Sequence, residues 1–207
     1  MTASQPALHL TGDESADILL SASPNALLIG MVLDQQVTME KAFSGPAVIA
    51  ERMGGSFDVA QIAAMEEQEF VALCSERPAV HRFPAAMAKR IQAVCRVLVD
   101  RYDADAANLW SAAANGAELK RSLAALPGLG EQKASIFVAL LGKQCGVRPD
   151  GWREAAGPYG EDQSFRSVAD VVDSESLTKV RESKRAAKAE AKTQRRPSRR
   201  SPLAPRS

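Results

Sequence analysis

The sequence predicts an all-α fold. Apolar residues recur at intervals of three and four, glycine and proline separate the periodic segments, and no segment alternates between apolar and polar residues as a strand does. The clearest example is Met87, Ile91, Val94 and Leu98, which form one apolar face of a helix. We therefore expect a compact, two-lobed helical domain over residues 1–180.

Polar, proline and glycine signals bound several of the expected helices. Ser23 followed by Pro24 is typical of an N-cap with proline in the first turn. The expected N-terminal helices run from Pro24 toward Ala42, where Gly45-Pro46 ends the helix, from Pro46 to Gly54-Gly55, from an Asp58 cap past Ile62 and Met65, and from Glu66 to Cys74. The expected C-terminal helices run from Pro84 to about Arg101, around Leu109, around Leu119, from Glu131 to about Leu141, and from Arg166 to Val180.

Residues 181–207 are predicted to form a disordered basic tail, because the sequence there has no apolar face. The tail carries ten basic and two acidic residues, a net charge of +8, within a chain whose total is +1. Residues 1–180 therefore carry −7, which opposes binding to an anionic polymer. The tail compensates for this charge if it tethers the protein to nucleic acid.

Composition excludes several classes of protein. No apolar run approaches the roughly 20 residues that span a membrane, and residues 1–14 do not resemble a signal peptide, so we expect a cytoplasmic protein. Cys74, Cys95 and Cys145 are far apart and odd in number, which argues against a disulfide framework. His9 and His81 do not sit at ligand spacing from any cysteine, so we expect no structural zinc, and we assign His81 to structure.

Three motifs carry the functional signal. The first is Leu-Pro-Gly-Leu-Gly-Glu-Gln-Lys-Ala-Ser from Leu126 to Ser135, in which two glycines permit a tight hairpin whose bare amides, at a helix start, suit a DNA phosphate. The second is Gly-Val-Arg-Pro-Asp from Gly146 to Asp150, a loop that presents a carboxylate. The third is Met-Val-Leu-Asp-Gln-Gln-Val-Thr-Met-Glu-Lys-Ala from Met31 to Ala42.

In their order and spacing these motifs resemble the signature of the helix-hairpin-helix (HhH-GPD) DNA glycosylases, of the endonuclease III-like kind. Asp150 lies 18 positions beyond Gln132, a separation similar to that between the family's lyase lysine position and its catalytic aspartate. The resemblance therefore implies Asp150 as the catalytic residue, Gln36 as the side chain that fills the gap left by a flipped base, and Gln35 as its helper. The implied DNA-binding residues are Gln35, Gln36, Leu126, Gly128, Leu129, Gly130, Gln132, Lys133 and Arg148.

The chain departs from the family pattern at two points, the lyase lysine and the iron-sulfur cluster. Gln132 stands where bifunctional members carry the lysine nucleophile, and an amide forms no Schiff base, so we expect no AP lyase activity. Lys133 is adjacent, but neighbouring helical residues point about 100° apart, so we expect it to face away from the flipped base. No cysteine follows Cys145, so we expect no iron-sulfur cluster. The resemblance leaves room for a monovalent cation at the hairpin carbonyls, and we expect no other cofactor.

The resulting hypothesis is a monofunctional base excision glycosylase that acts as a nucleoid-associated monomer on double-stranded DNA. One alternative is a non-catalytic module of the same fold that recognises distorted DNA, and another is an interaction protein whose tail recruits partners. Single residues have alternatives too. Asp150 is also suited to capping the segment after Gly151. Gln35 and Gln36 are also suited to a solvent-facing helix surface. Trp152 and Tyr159 are suited to core packing as well as to stacking on a flipped base.

Overall fold

A computed structural model describes residues 8–194, and within that range the chain forms helices and no strand. The helices, in chain order, are α1 (Glu14–Ala22), α2 (Pro24–Leu33), α3 (Met39–Arg52), α4 (Val59–Ala64), α5 (Glu67–Ser75), α6 (Pro84–Tyr102), α7 (Ala106–Ser111), α8 (Gly116–Ala124), α9 (Gly130–Gln144), α10 (Trp152–Ala156) and α11 (Ser174–Gln194). Two short 3-10 helices, Gly157–Tyr159 and Val168–Asp170, lie between α10 and α11. The predicted all-α fold is confirmed.

Most start signals in the sequence act as predicted. The Ser23 side chain caps α2 by accepting a hydrogen bond from the Ala26 amide, and the Asp58 side chain caps α4 through the Gln61 amide. The predicted bounds of α5 and α6 agree with the structure to within one residue. Helix α1, capped by Asp13, was not predicted.

The predicted helix from Pro24 toward Ala42 is wrong, because the chain breaks after Leu33. Residues 34–38 form a loop, and the Thr38 side chain caps a new helix, α3, through the Lys41 amide. The predicted stop at Gly45-Pro46 is also wrong, since Pro46 lies inside α3. Tight packing outweighs the local cost of glycine and proline there. A β-carbon on Gly45 would lie 2.4 Å from a Leu33 methyl carbon, so α3 approaches α2 as closely as only glycine allows.

Helices α4–α6 and α8–α10 form two packed groups. Helices α4 and α5 pack against α6 in one group, and α8 and α10 pack against α9 in the other. Helix α2 contacts α3, α6 and α7, and a single apolar cluster joins the two groups. Within the described range no single helix is long and apolar enough to cross a membrane; α1 and α2 meet that criterion only as a pair bent by 116°.

A buried ion pair holds the segment after α10 against α9. The Lys143 ammonium lies 2.6 Å from an Asp170 carboxylate oxygen and also donates to the Glu161 carbonyl. The helix predicted from Arg166 to Val180 begins at Ser174 and continues to Gln194, so the predicted boundary at residue 181 falls inside α11. The rest of the predicted tail, residues 195–207, lies outside the described residues.

Candidate functional site

The hairpin at residues 126–130 joins α8 to α9. Gly128 and Gly130 have φ of +85° and +66°, the left-handed region that favours glycine. The Leu126 and Leu129 side chains are buried in the core, so the hairpin presents its backbone outward. The amides of Gly128 and Gly130 find no acceptor among the residues that the structure describes. They lie at the positive end of the 15-residue helix α9, an arrangement that suits an anion.

Arg90 of α6 packs directly over this hairpin. A β-carbon on Gly128 would lie 2.0 Å from the Arg90 Cδ atom, so the glycine is required by close approach as well as by its backbone conformation. The Arg90 guanidinium donates to the Gln35 Oε1 atom at 3.0 Å. A fixed cation therefore lies beside the exposed amides, and sequence reasoning missed it because Arg90 is an ordinary polar position beside the apolar stripe of α6.

Gln35 ties the loop after α2 to the hairpin. Its Nε2 atom donates to the Val32 carbonyl at 2.8 Å and to the Gly128 carbonyl at 3.3 Å. Its own carbonyl lies 2.7 Å from the Nε2 atom of buried His81. The His81 Nδ1 atom accepts from the Phe83 amide, so Nε2 carries the proton and donates to Gln35. The half-buried Gln35 side chain thus connects the loop to the hairpin. The structural role assigned to His81 agrees with its hydrogen bond to the Gln35 backbone carbonyl.

Gln36, the next residue, has the opposite environment. Its side chain is exposed, and its backbone has φ of +55°, a conformation that non-glycine residues adopt at a cost. It lies in the loop 34–38 rather than on a helix surface. The hydrogen bonds of Gln35 hold the loop against the hairpin. The next residue, Gln36, therefore points its side chain into solvent beside the hairpin.

Lys133 turns inward, toward the end of α2. Its ammonium donates to the Val32 carbonyl at 3.1 Å, where the dipole of α2 favours a cation. Burial lowers the pKa of Lys133 to about 8, and nearby Asp34 opposes that shift. Burial also raises the pKa of the Asp34 carboxyl, and Lys184 and Lys133 oppose the rise. Sequence reasoning missed Asp34 because its partners lie about 100 or more positions away.

Asp150 is exposed, and its carboxylate has no hydrogen bond or ion pair among the described residues. It lines an open groove of about 710 Å³ together with Lys120, Glu131 and Glu154. Glu131 directly follows Gly130, so the groove begins at the hairpin. Helix α10 has Gly151 at its N-cap and no side-chain cap, so Asp150 does not cap it.

Close backbone contacts fix the position of Asp150. The Gly116 amide at the start of α8 donates to the Asp150 carbonyl at 2.8 Å. A β-carbon on Gly116 would lie 2.5 Å from the Trp152 Cα atom, and one on Gly142 would lie 2.3 Å from the Trp152 ring. The Trp152 backbone therefore packs against the start of α8 and its ring against α9, and at 7% exposed the residue is too buried to stack on a base in this conformation.

Gln132 and Arg148 make local contacts. The Gln132 Nε2 atom donates to the Tyr159 hydroxyl at 3.0 Å, on the exposed side of α9. The Arg148 Nε atom donates to the Gly142 carbonyl at 2.7 Å, although the residue stays exposed and borders a smaller groove with Asp150. Of the predicted site residues, the structure joins Gln35, Lys133 and the hairpin through direct contacts or a shared partner. Asp150 and Arg148 share a separate groove.

The fold and the hairpin together define a class of protein. It is an all-helical domain in which a glycine hairpin places the N-terminal amides of a helix where an anion can bind. The family model for the HhH-GPD superfamily base excision DNA repair protein matches residues 29–199. The chain belongs to this superfamily of DNA glycosylases, and its partner is DNA. Comparison with curated proteins and with solved structures found no significant match.

Proposed function

We propose that this protein is a monofunctional DNA glycosylase that hydrolyses the N-glycosidic bond of a base flipped from double-stranded DNA. The observation that carries the proposal is the unpartnered Asp150 carboxylate at a groove that starts at the hairpin. A base outside the duplex needs such a recess, and extrusion costs a few kcal/mol, least for damaged or mispaired bases. The site thereby favours bases that already pair poorly.

The chemistry at Asp150 is electrostatic and acid–base. As the glycosidic bond lengthens, positive charge develops on the deoxyribose, and a carboxylate beside it lowers the energy of that state. The same carboxylate accepts a proton from the attacking water, whose oxygen bonds to C1′ while the base departs with the bond electrons. The departing base takes up a proton, and Asp150 returns its own to solvent. The products are a free base and an abasic site. This scheme uses no redox cofactor or metal, and the three separated cysteines do not match the four-cysteine ligand set of an iron-sulfur cluster.

The proposed lack of lyase activity rests on Gln132. Its side-chain amide donates to the Tyr159 hydroxyl, and an amide cannot form the Schiff base that a lysine amine would form there. Borohydride reduction of a mixture of the protein with abasic duplex should therefore give no covalent adduct. A covalent adduct would contradict this part of the proposal. The residue to examine would then be Lys133, because its lowered pKa makes more free amine available near neutral pH.

The decisive experiment compares Asp150→Asn with Glu154→Gln, since both replace a carboxylate with an amide in the same groove. Duplexes that each carry one alkylated, deaminated or oxidised base are assayed for abasic sites. Asp150→Asn should lower turnover of the substrate by about 10²–10⁴-fold while duplex binding is retained, whereas Glu154→Gln should stay within a few-fold. Turnover that survives in Asp150→Asn contradicts the proposed role.

A second candidate function is recognition of distorted DNA without base removal. It is favoured by the exposed Glu154 carboxylate beside Asp150, whose like charge opposes a phosphodiester in the groove but not at the hairpin amides. This function predicts tight binding to mismatched or lesion-bearing duplex and no abasic product from any member of the panel. The same assay therefore separates the two functions.

A further inference from the structure

The C-terminal half of α11 is a basic helix anchored at its beginning. Val180 is 2% exposed and belongs to the core, and Leu177 packs against that core. Beyond Val180 the helix continues to Gln194. At 1.5 Å per residue, residues 181–194 extend about 20 Å, comparable with six base pairs of duplex. We call residues 181–194 the basic arm.

The start of the basic arm lies beside the loop that presents Gln36. Arg181 forms an ion pair with Glu40, in the first turn of α3 and four residues beyond Gln36. Lys184 lies near enough to Asp34 to oppose the rise that burial causes in the pKa of that carboxyl. One acidic side chain in the loop, Asp34, and one just beyond it, Glu40, therefore each attract a cation of the arm.

Three exposed cations at the start of the arm, Arg181, Lys184 and Arg185, share one face. They follow a spacing of three and four residues, which places them on neighbouring turns of one side of the helix. In the sequence the same spacing continues with Lys188 and Lys192. A row of cations along a helix is complementary to the phosphates of a DNA strand.

We propose that the basic arm binds the phosphates of the duplex beside the nucleotide that Gln36 contacts, and that Glu40 occupies, in the free protein, the place of a phosphate on Arg181. When DNA binds, Arg181 exchanges the Glu40 carboxylate for a phosphate. The proposal rests on the proposed function in placing DNA against Gln36, but it concerns affinity rather than turnover.

The first test compares two double variants of the full chain that each remove two exposed positive charges. Lys184→Gln/Arg185→Gln changes the arm, and Arg96→Gln/Arg101→Gln changes the distal part of α6. Binding to an undamaged fluorescent duplex is measured by anisotropy over a range of salt concentrations. The arm variant should bind roughly tenfold more weakly at low salt and lose about 2 from the slope of log K against log salt, while the α6 variant stays close to the wild type.

The second test uses Glu40→Gln, Arg181→Gln and their combination, with Glu69→Gln as a control that removes one exposed negative charge from α5. Glu40→Gln should strengthen duplex binding, because Arg181 no longer has to leave a carboxylate. That gain should vanish in the Arg181→Gln background. Glu69→Gln should change binding less than Glu40→Gln does.

Three outcomes would overturn the proposal: an unchanged salt slope in the arm variant, an equal loss in both double variants, or a gain from Glu40→Gln that persists without Arg181. Reduced binding of the arm variant to anionic lipid vesicles with unchanged duplex binding would also overturn it. Circular dichroism and melting of each variant show whether it is folded. Because none of these measurements needs turnover, they remain interpretable whatever the outcome of the Asp150→Asn assay.

Discussion

Gln35 and Gln36 are neighbours of identical chemistry with opposite roles in the structure, and their alanine variants should differ accordingly. The Gln35 side chain makes three hydrogen bonds, of 2.8, 3.0 and 3.3 Å, to the Val32 carbonyl, Arg90 and the Gly128 carbonyl. Each contributes about 0.5–1.5 kcal/mol net. Allowing for the longest bond and the partial exposure of the site, Gln35→Ala should lower the free energy of unfolding by about 2 kcal/mol.

Gln36→Ala should leave stability within about 0.5 kcal/mol, because the side chain is exposed. Gln36→Gly should raise stability by up to about 1 kcal/mol, because φ of +55° costs glycine little. Both Gln36 variants should weaken binding to lesion-bearing duplex directly, whereas Gln35→Ala acts on binding by releasing the hairpin. Urea unfolding and anisotropy of all three variants check this. Equal stability of Gln35→Ala and Gln36→Ala would refute the reasoning.

Two further predictions concern the hairpin and its helix. Gly128→Ala should lower the free energy of unfolding by about 2–3 kcal/mol and weaken duplex binding, because the added β-carbon meets both a positive φ and the Arg90 side chain at 2.0 Å. Gly130→Ala has a positive φ but no atom within 4 Å of the added β-carbon, so it should cost about 1 kcal/mol. Equal losses of stability in urea unfolding would contradict this prediction. The pKa of Lys133 is lowered to about 8 in the folded protein, so the unfolded chain binds the ammonium proton more tightly than the folded one does. The free energy of unfolding should therefore rise between about pH 8 and 10.5, by up to about 3 kcal/mol, when compared with that of Lys133→Met at each pH. A difference in unfolding free energy between the two proteins that does not change with pH would contradict it.

Local patterns predicted the elements whose stability is itself local. The apolar stripe of α6 and the caps at Ser23 and Asp58 involve residues three or four apart, so both periodicity and capping are visible in the sequence. The end of α2 is different. Leu33 packs against Gly45 within a helix that continues through Pro46, a contact between two helices that no local sequence pattern shows.

The candidate site shows the same division. The hairpin was predicted from glycine spacing, which is a property of the chain itself, and Asp150 because its separation of 18 residues from Gln132 resembles the family pattern. The role of Gln35 was not, because its partner Gly128 lies 93 residues away. A glutamine that braces a hairpin and one that faces solvent look identical in sequence until the partner is known.

The net charge of residues 1–180 says nothing about where the individual charges lie, and DNA binding depends on where they lie. Around the loop 34–38 the structure gathers cations from three separate elements: Arg90 from α6, Lys133 from α9, and Arg181 and Lys184 from α11. Two of these lie beyond residue 180, so dividing the chain at the start of its basic segment removes them from the domain that they adjoin. A charge of −7 over residues 1–180 therefore does not count against a DNA-binding surface at the hairpin. The relevant quantity is the salt dependence of binding, which counts the phosphates that these few side chains contact.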